Sequence, residues 1–361
     1  MRCLRLWFTL AFLLKQNGIA EGISHNRPFG QFSKKRKFDV KPVLDIPRGG
    51  AAADFSSNAL LAAKVATVTS LGGGSLSWLV PKTTGKCIGI IQADVDDTDL
   101  PPMVEIMMTC IGSCLLSIGI MGYVMFFYGG GTGTTTTITQ SERYKLALIL
   151  SYIPFTINSV RNWLWNNGSR IVATTTKVLF VQQQQQQPLS SNILLFRIAM
   201  NTFMSLIIYK NVKYAMLAAK LWSGFVLLTG LFFMVDPKST VAAAWGVVKE
   251  EGSTTTTTTS PMDLYLLQVY GILLCHTQFV VLALINGNLA PNKIYGFGTL
   301  LSCIFFLTLE LWIRTSTSTT STSTSRGGGE EKNNVVKFSK NLQTIWTILV
   351  SAILTGTMLL G

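Results

Sequence analysis

The chain has 361 residues, of which 48% are hydrophobic and only 13% charged, and its 30 Lys+Arg against 17 Asp+Glu give a formal net charge of +13. Soluble domains carry about 25% charged residues. Half that fraction, with a mean hydropathy of +0.39, argues against a disordered chain, a disulfide scaffold or a soluble nucleic-acid binder, and points to a polytopic membrane protein. The basic excess is unevenly placed. Residues 1–48 hold ten Lys/Arg and three acids, whereas residues 49–361 hold twenty and fourteen.

The N-terminus reads as a targeting segment. Arg2 and Arg5 form a basic n-region, Leu6 to Leu14 an apolar run of nine residues, and Gly18 and Ala20 small residues before a cleavage point. This pattern predicts a signal peptide over 1–21, because nine apolar residues are too few to span a core of roughly 30 Å. Residues 22–57 follow as a basic, transit-like leader. Its first part, 22–38, has no acid and ends in Lys34-Lys35-Arg36-Lys37. Such a run suits a targeting leader, an anionic lipid surface or a solvated tail.

Asp45-Ile46-Pro47-Arg48-Gly49-Gly50-Ala51 resembles a stretch found in leader regions of diatom-type algal proteins. In this leader segment and in its low-complexity loops the chain resembles polytopic membrane proteins of diatom-type algae. The resemblance implies a secretory route, with a plastid or another endomembrane compartment as destination.

From residue 58 onward, apolar runs near twenty residues long predict eight spans. They lie at 58–80, 103–128, 146–165, 191–209, 215–235, 263–286, 295–313 and 341–360. The first and fourth are the weakest, since they contain Lys64 and Arg197 respectively. Polar tracts lie between spans, among them Gly129–Thr137, Gln182–Gln187, Thr254–Thr259 and Thr315–Ser325. Such composition cannot build a core and reads as loop insertion.

An internal repeat emerges from the same pass. Leu61-Ala62-Ala63-Lys64 recurs as Leu217-Ala218-Ala219-Lys220, and Pro81-Lys82 recurs as Pro237-Lys238. Pro102-Met103 recurs as Pro261-Met262, each proline being followed by a glycine, Gly112 and Gly271. Trp163 matches Trp312, and Asn192 matches Asn341, both at an offset of 149. The expected fold is therefore all-α: a membrane bundle of two tandem four-helix repeats, 58–209 and 210–361. An even number of spans per repeat gives both copies one orientation. Each Pro-Lys pair is expected to end a helix and place a lysine at the headgroups.

With residues 22–57 on the trans side, the cis loops hold eleven Lys/Arg and the trans loops five. That bias obeys the positive-inside rule. The sequon Asn167-Gly168-Ser169 then falls on the cis side and is expected to carry no glycan.

Few residues promise chemistry. Arg161 and Glu310 occupy equivalent positions at the offset of 149. They suggest either an intramembrane charge pair between the repeats or two independent charges snorkelling at helix ends. Cys110 and Cys114 lie one turn apart, and Cys275 precedes His276. A metal would need further ligands, and Cys110 and Cys114 align with Val269 and Leu273, so no metal is expected. Asp94, Asp96, Asp97 and Asp99 form an acidic loop without the glycine and terminal glutamate of a calcium loop. Gly129-Gly130-Gly131-Thr132-Gly133-Thr134 lacks the lysine of a phosphate loop.

Gly72, Gly73, Gly74, Gly112 and Gly271 are candidates for close helix packing or a hinge, and Pro154 for a kink in the third span. The sequence thus predicts no catalytic residue, no cofactor and no nucleic-acid partner. The lipid bilayer is the expected environment, with membrane-protein complexes as further partners. A structural or assembly role is the leading reading, and a small-solute or ion transporter built on the duplication the alternative.

Overall fold

The computed structural model describes residues 57–87, 102–128, 139–175, 190–245, 261–287, 289–320 and 342–360. The expected signal peptide, the basic leader, the acidic loop and most of the low-complexity tracts lie outside them. All regular structure among the described residues is helical. Ten helices follow in chain order: α1 (Ser57–Leu79), α2 (Pro81–Cys87), α3 (Pro102–Phe126), α4 (Gln140–Thr175), α5 (Ser191–Tyr209), α6 (Ala215–Val235), α7 (Pro237–Trp245), α8 (Pro261–Asn286), α9 (Pro291–Thr320) and α10 (Leu342–Leu360). The order long, short, long, long, long therefore occurs twice.

Local chemistry sets the boundaries. Five of the ten helices begin at proline, namely α2, α3, α7, α8 and α9. Proline is suited to the first helical position, where its missing N–H would have no partner anyway. The prolines of the two Pro-Lys pairs thus do more than end a helix, as expected from sequence; each also opens a short one. Ahead of α4, Thr139 and Glu142 form a reciprocal cap. The Thr139 N–H and hydroxyl donate to Glu142 Oε2 at 2.9 and 3.0 Å, and the Glu142 N–H donates to Thr139 Oγ1 at 3.3 Å. The Thr139 N–H, and then its hydroxyl, hold the Glu142 carboxyl below its usual range.

Six helices are long and apolar enough to cross a membrane: α1, Met103–Phe126 of α3, α5, α6, Met262–Asn286 of α8, and Pro291–Leu311 of α9. Among the described residues, six of the eight expected spans meet this criterion, and α4 and α10 do not. Helix α4 carries Asn158, Arg161 and Asn162 within two turns, which dilutes its apolar content. In α10 only the shorter apolar stretch Val350–Leu360 qualifies.

Helices α3 and α8 form the centre, with 67% and 83% of their apolar windows buried, against 22–28% for α1, α5 and α6. The two central helices run parallel. The N-terminal half of α3 (Met107, Met108, Ile111) clusters with that of α8 (Leu266, Leu267, Tyr270). The C-terminal half of α3 (Ile118, Met121, Met125) clusters with that of α8 (Val280, Val281, Leu284). Around this pair, α1 packs on α3 and α6 on α8; α4 joins α3 to α5, and α9 joins α8 to α10. The ring is completed by α10 against α1 and α5 against α6. Outer faces carry large apolar side chains, such as Leu61, Phe203, Leu221, Phe225 and Phe232. In water such a surface would be an aggregation liability; against lipid it is solvated.

Candidate functional site: polar seams and a cleft inside the bundle

Two glycine pairs set close helix approaches. A Cβ on Gly74 of α1 would lie 2.9 Å from the Gly112 carbonyl oxygen of α3, and one on Gly112 would lie 2.9 Å from the Gly74 carbonyl oxygen. Gly230 of α6 and Gly271 of α8 stand in the same reciprocal relation, at 3.0 and 2.7 Å. Neighbouring contacts match as well. Gly112 faces Ser77 and Trp78, and Gly271 faces Phe233 and Met234, in each case at an offset of 156. Helix α1 continues without a break through Gly72, Gly73 and Gly74, and of these Gly74 makes the close approach to α3. Gly230, the counterpart of Gly74 at the offset of 156, stood out only once the helices were docked. Pro154 sits inside the continuous helix α4.

The breaks at Pro81 and Pro237 leave carbonyls near the ends of α1 and α6, and side chains from neighbouring helices meet them. Arg161 Nη1 of α4 donates to the Trp78 carbonyl at 2.8 Å. Gln268 Nε2 of α8 donates to the Met234 carbonyl at 3.1 Å. Trp78 and Met234 are again 156 residues apart. At the other end of the bundle, Lys145 Nζ donates to the Tyr209 carbonyl at 3.1 Å and Asn292 Nδ2 to the Met358 carbonyl at 3.1 Å. Those two acceptors are 149 residues apart.

The α3/α4 seam is polar along its length. Ser117 Oγ donates to the Ser151 carbonyl at 2.8 Å, Asn158 Nδ2 to Cys110 Sγ at 3.4 Å, and Arg161 Nη2 lies 3.4 Å from Glu105 Oε1. Each successive contact moves back along α3 as it moves forward along α4, as antiparallel packing requires. Arg161 also lies over the Trp78 ring, 5.6 Å from its centroid. Arg161 is thus brought to Glu105 of its own half. Glu310, on α9, acts electrostatically on Tyr265 of α8, also within its own half. The sequence offered Arg161 and Glu310 as a pair; Glu105 was read there only as a charge at the mouth of a span.

On the α8/α9 seam, His276 Nδ1 and Ser302 Oγ share a hydrogen bond of 2.9 Å. The His276 ring edge packs on Gly298, where a Cβ would lie 2.7 Å from it. Polar atoms buried without a partner include Asn158 Oδ1, His276 Nε2 and Gln278 Oε1. Cys110, Cys114 and Cys275 are buried free thiols. Among the described residues, no group of three or more His, Cys, Asp or Glu could hold a metal ion.

A cleft of about 280 Å³ opens between α6, α8 and α9, lined by Met234, Val235, Gln268, Ile272, Phe305 and Thr308 among others. It lies beside the Gln268–Met234 bond and opens past Val235, which is 83% exposed. Its walls are mainly apolar, and Gln268 and Thr308 are the polar side chains that line it. No family model, no curated protein and no solved structure matches the chain.

Proposed function

We propose that this chain is an integral membrane protein made by tandem duplication of a four-helix unit, with a structural or assembly role and no catalysis of its own. The observation that carries the role is the filled centre. Met107, Met108, Cys114, Met121, Leu266 and Leu267 are buried between α3 and α8, and many interior polar side chains are spent on helix–helix hydrogen bonds. Close packing of this kind suits a rigid scaffold. The duplication is supported by the paired glycine contacts, the paired carbonyl caps and the twice-repeated helix order. A parallel two-fold relation along the membrane normal follows from the parallel central helices. In this reading all four long helices of each unit span the bilayer, α4 and α10 included.

Reconstituted into liposomes, the purified chain is expected to leave ion and small-solute permeability unchanged, while cross-linking in native membranes is expected to capture it in a complex. Solute flux well above that of empty liposomes would overturn the structural reading. It would favour the second one, a small-solute or ion transporter, whose own support is the set of buried unpartnered polar atoms on α4 and α8.

The leader's resemblance supports a secretory route to a plastid or other endomembrane. A fluorescent fusion imaged against plastid autofluorescence tests it. The loop charge bias places the C-terminal end of α4 on the cis side, so Asn167 is expected to lack glycan; a mobility shift on deglycosylation would reverse the topology.

A further inference from the structure

We infer that the cleft between α6, α8 and α9 binds a ring-bearing, hydroxyl-headed membrane amphiphile of the sterol class; the inference rests on the duplication proposed above. Under that duplication, Met234 corresponds to Trp78 and Glu310 to Arg161. In the first half the indole of Trp78 lies beneath the Arg161 guanidinium, and its Nε1 is buried. A planar ring with a polar cap thus stands at the end of α1. In the second half the shorter, flexible Met234 leaves a cleft at the end of α6. The first half carries in its own side chains a mimic of what the second half takes from the bilayer.

The polar groups of the cleft select the head. The Met234 carbonyl accepts one Gln268 Nε2 hydrogen, which fixes the orientation of the amide and leaves Oε1 and the second Nε2 hydrogen open. The Thr308 hydroxyl donates to the Ile304 carbonyl at 2.8 Å, which leaves its lone pairs. The cleft thus offers acceptors at Oε1 and at the Thr308 oxygen and one N–H donor, a set that a single hydroxyl, donor and acceptor at once, satisfies. No cationic side chain is among the residues that line the cleft, which disfavours an anionic head. The deeper walls, Ile272 and Phe305, suit fused apolar rings. At about 280 Å³ the cleft falls just below the range of roughly 300 Å³ upward for drug-sized ligands. It suits one ring system whose tail continues along the lipid-exposed face of α6, and not an enclosed diacyl lipid.

The test uses the full chain in lipid nanodiscs and a diazirine-bearing cholesterol analogue with a free hydroxyl. Photolabel is expected on peptides of α6, α8 and α9. Free cholesterol is expected to compete and cholesterol sulfate is not. Met234→Trp, which copies the first half's plug, should reduce the label at least tenfold. Gln268→Leu, which removes the acceptor without filling the cleft, should reduce it several-fold even if the tryptophan variant fails to fold. Label that persists in both variants, or that spreads equally over the lipid faces of α1 and α5, overturns the site. Trp78→Met is expected to open a second labelled position on α1, α3 and α4. If Met234→Trp abolishes labelling but Trp78→Met adds none, the cleft stands and the correspondence between halves falls.

Discussion

Helices α1–α5 and α6–α10 use the same anchor points and different seams. In both, a glycine pair locks the first long helix to the third helix of its half, and a side chain from a neighbouring helix caps the carbonyl exposed before a Pro-Lys break. Yet the α3/α4 seam is held by Ser117–Ser151, Cys110–Asn158 and Glu105–Arg161. At the positions corresponding to Cys110 and Glu105, α8 has Val269 and Leu264, and the α8/α9 seam is held instead by the His276–Ser302 hydrogen bond. The difference teaches which contacts this architecture needs. Close backbone approach is kept in both halves, because nothing larger than hydrogen fits there. The polar seam contacts differ in place and partners between the halves, because a satisfied hydrogen bond contributes little net stability over packed methylenes.

The largest expected effect tests the shared feature. Gly112→Ala and Gly271→Ala each drive a Cβ into a backbone carbonyl, and each is expected to cost about 1–3 kcal/mol in equilibrium unfolding in detergent. Gly224→Ala, where a Cβ would meet nothing within 4 Å, is expected to cost nothing, and to gain up to about 1 kcal/mol of helix propensity. Equal losses at Gly224 and Gly112 would remove the packing argument.

The seam comparison is sharpened by transplanting it. Cys110→Val alone leaves the buried Asn158 amide without its acceptor and is expected to cost about 1–2 kcal/mol. Adding Asn158→Leu, which removes the unpaired amide, is expected to restore most of that loss. A double variant less stable than the single one would show that the polar seam is required where it stands.

Smaller effects attend the charges. A double-mutant cycle of Arg161→Ala and Glu105→Gln is expected to give a coupling of about 0.5–1 kcal/mol, while Arg161→Ala and Glu310→Ala should add within about 0.5 kcal/mol. The reverse ranking would restore the pair across the halves.

The smallest effect concerns the short helices. The Ser239 N–H donates to Asp236 Oδ1 at 3.2 Å, capping α7, and Val80 occupies the matching place before α2. Hydrogen bonds from the Ser239 side chain and then its backbone hold the Asp236 carboxyl below its usual range. Its stabilisation of α7 is therefore present above the ordinary aspartate range and is lost as pH falls through the lowered value. Amide protection factors in α7 are expected to decline across that window, while those in α2 stay flat. Parallel decline in both helices would exclude the cap as the cause.

Much of the fold was legible in the residues. The predicted run 58–80 became Ser57–Leu79, and 191–209 and 215–235 became α5 and α6 with the same limits, because an apolar run bounded by proline or polar tracts has few alternatives to a helix. Helix α4 was less legible. Its polar residues lower its apolar content, and it runs to Thr175, well past the predicted 165. The short helices α2 and α7 were read only as helix ends, since proline gives the same sequence mark whether a chain stops or restarts.

The candidate site was legible mainly as residue types. Gly112 and Gly271 stood out by their spacing, but Gly74 was one of three adjacent glycines and Gly230 had no local signal. Arg161 was identified as costly inside a membrane, and Glu105, which it meets at 3.4 Å, was read only as a charge at the mouth of a span. Sequence periodicity determined by itself where helices lie and which residues share a helix, because 3.6 residues per turn is a local property of the backbone. Only the tertiary structure decided that Glu105 meets Arg161, that Gln268 caps Met234 and that a cleft remains beside them. Those outcomes depend on the rotation and axial register of one helix against another, which are fixed by close packing summed over the whole bundle.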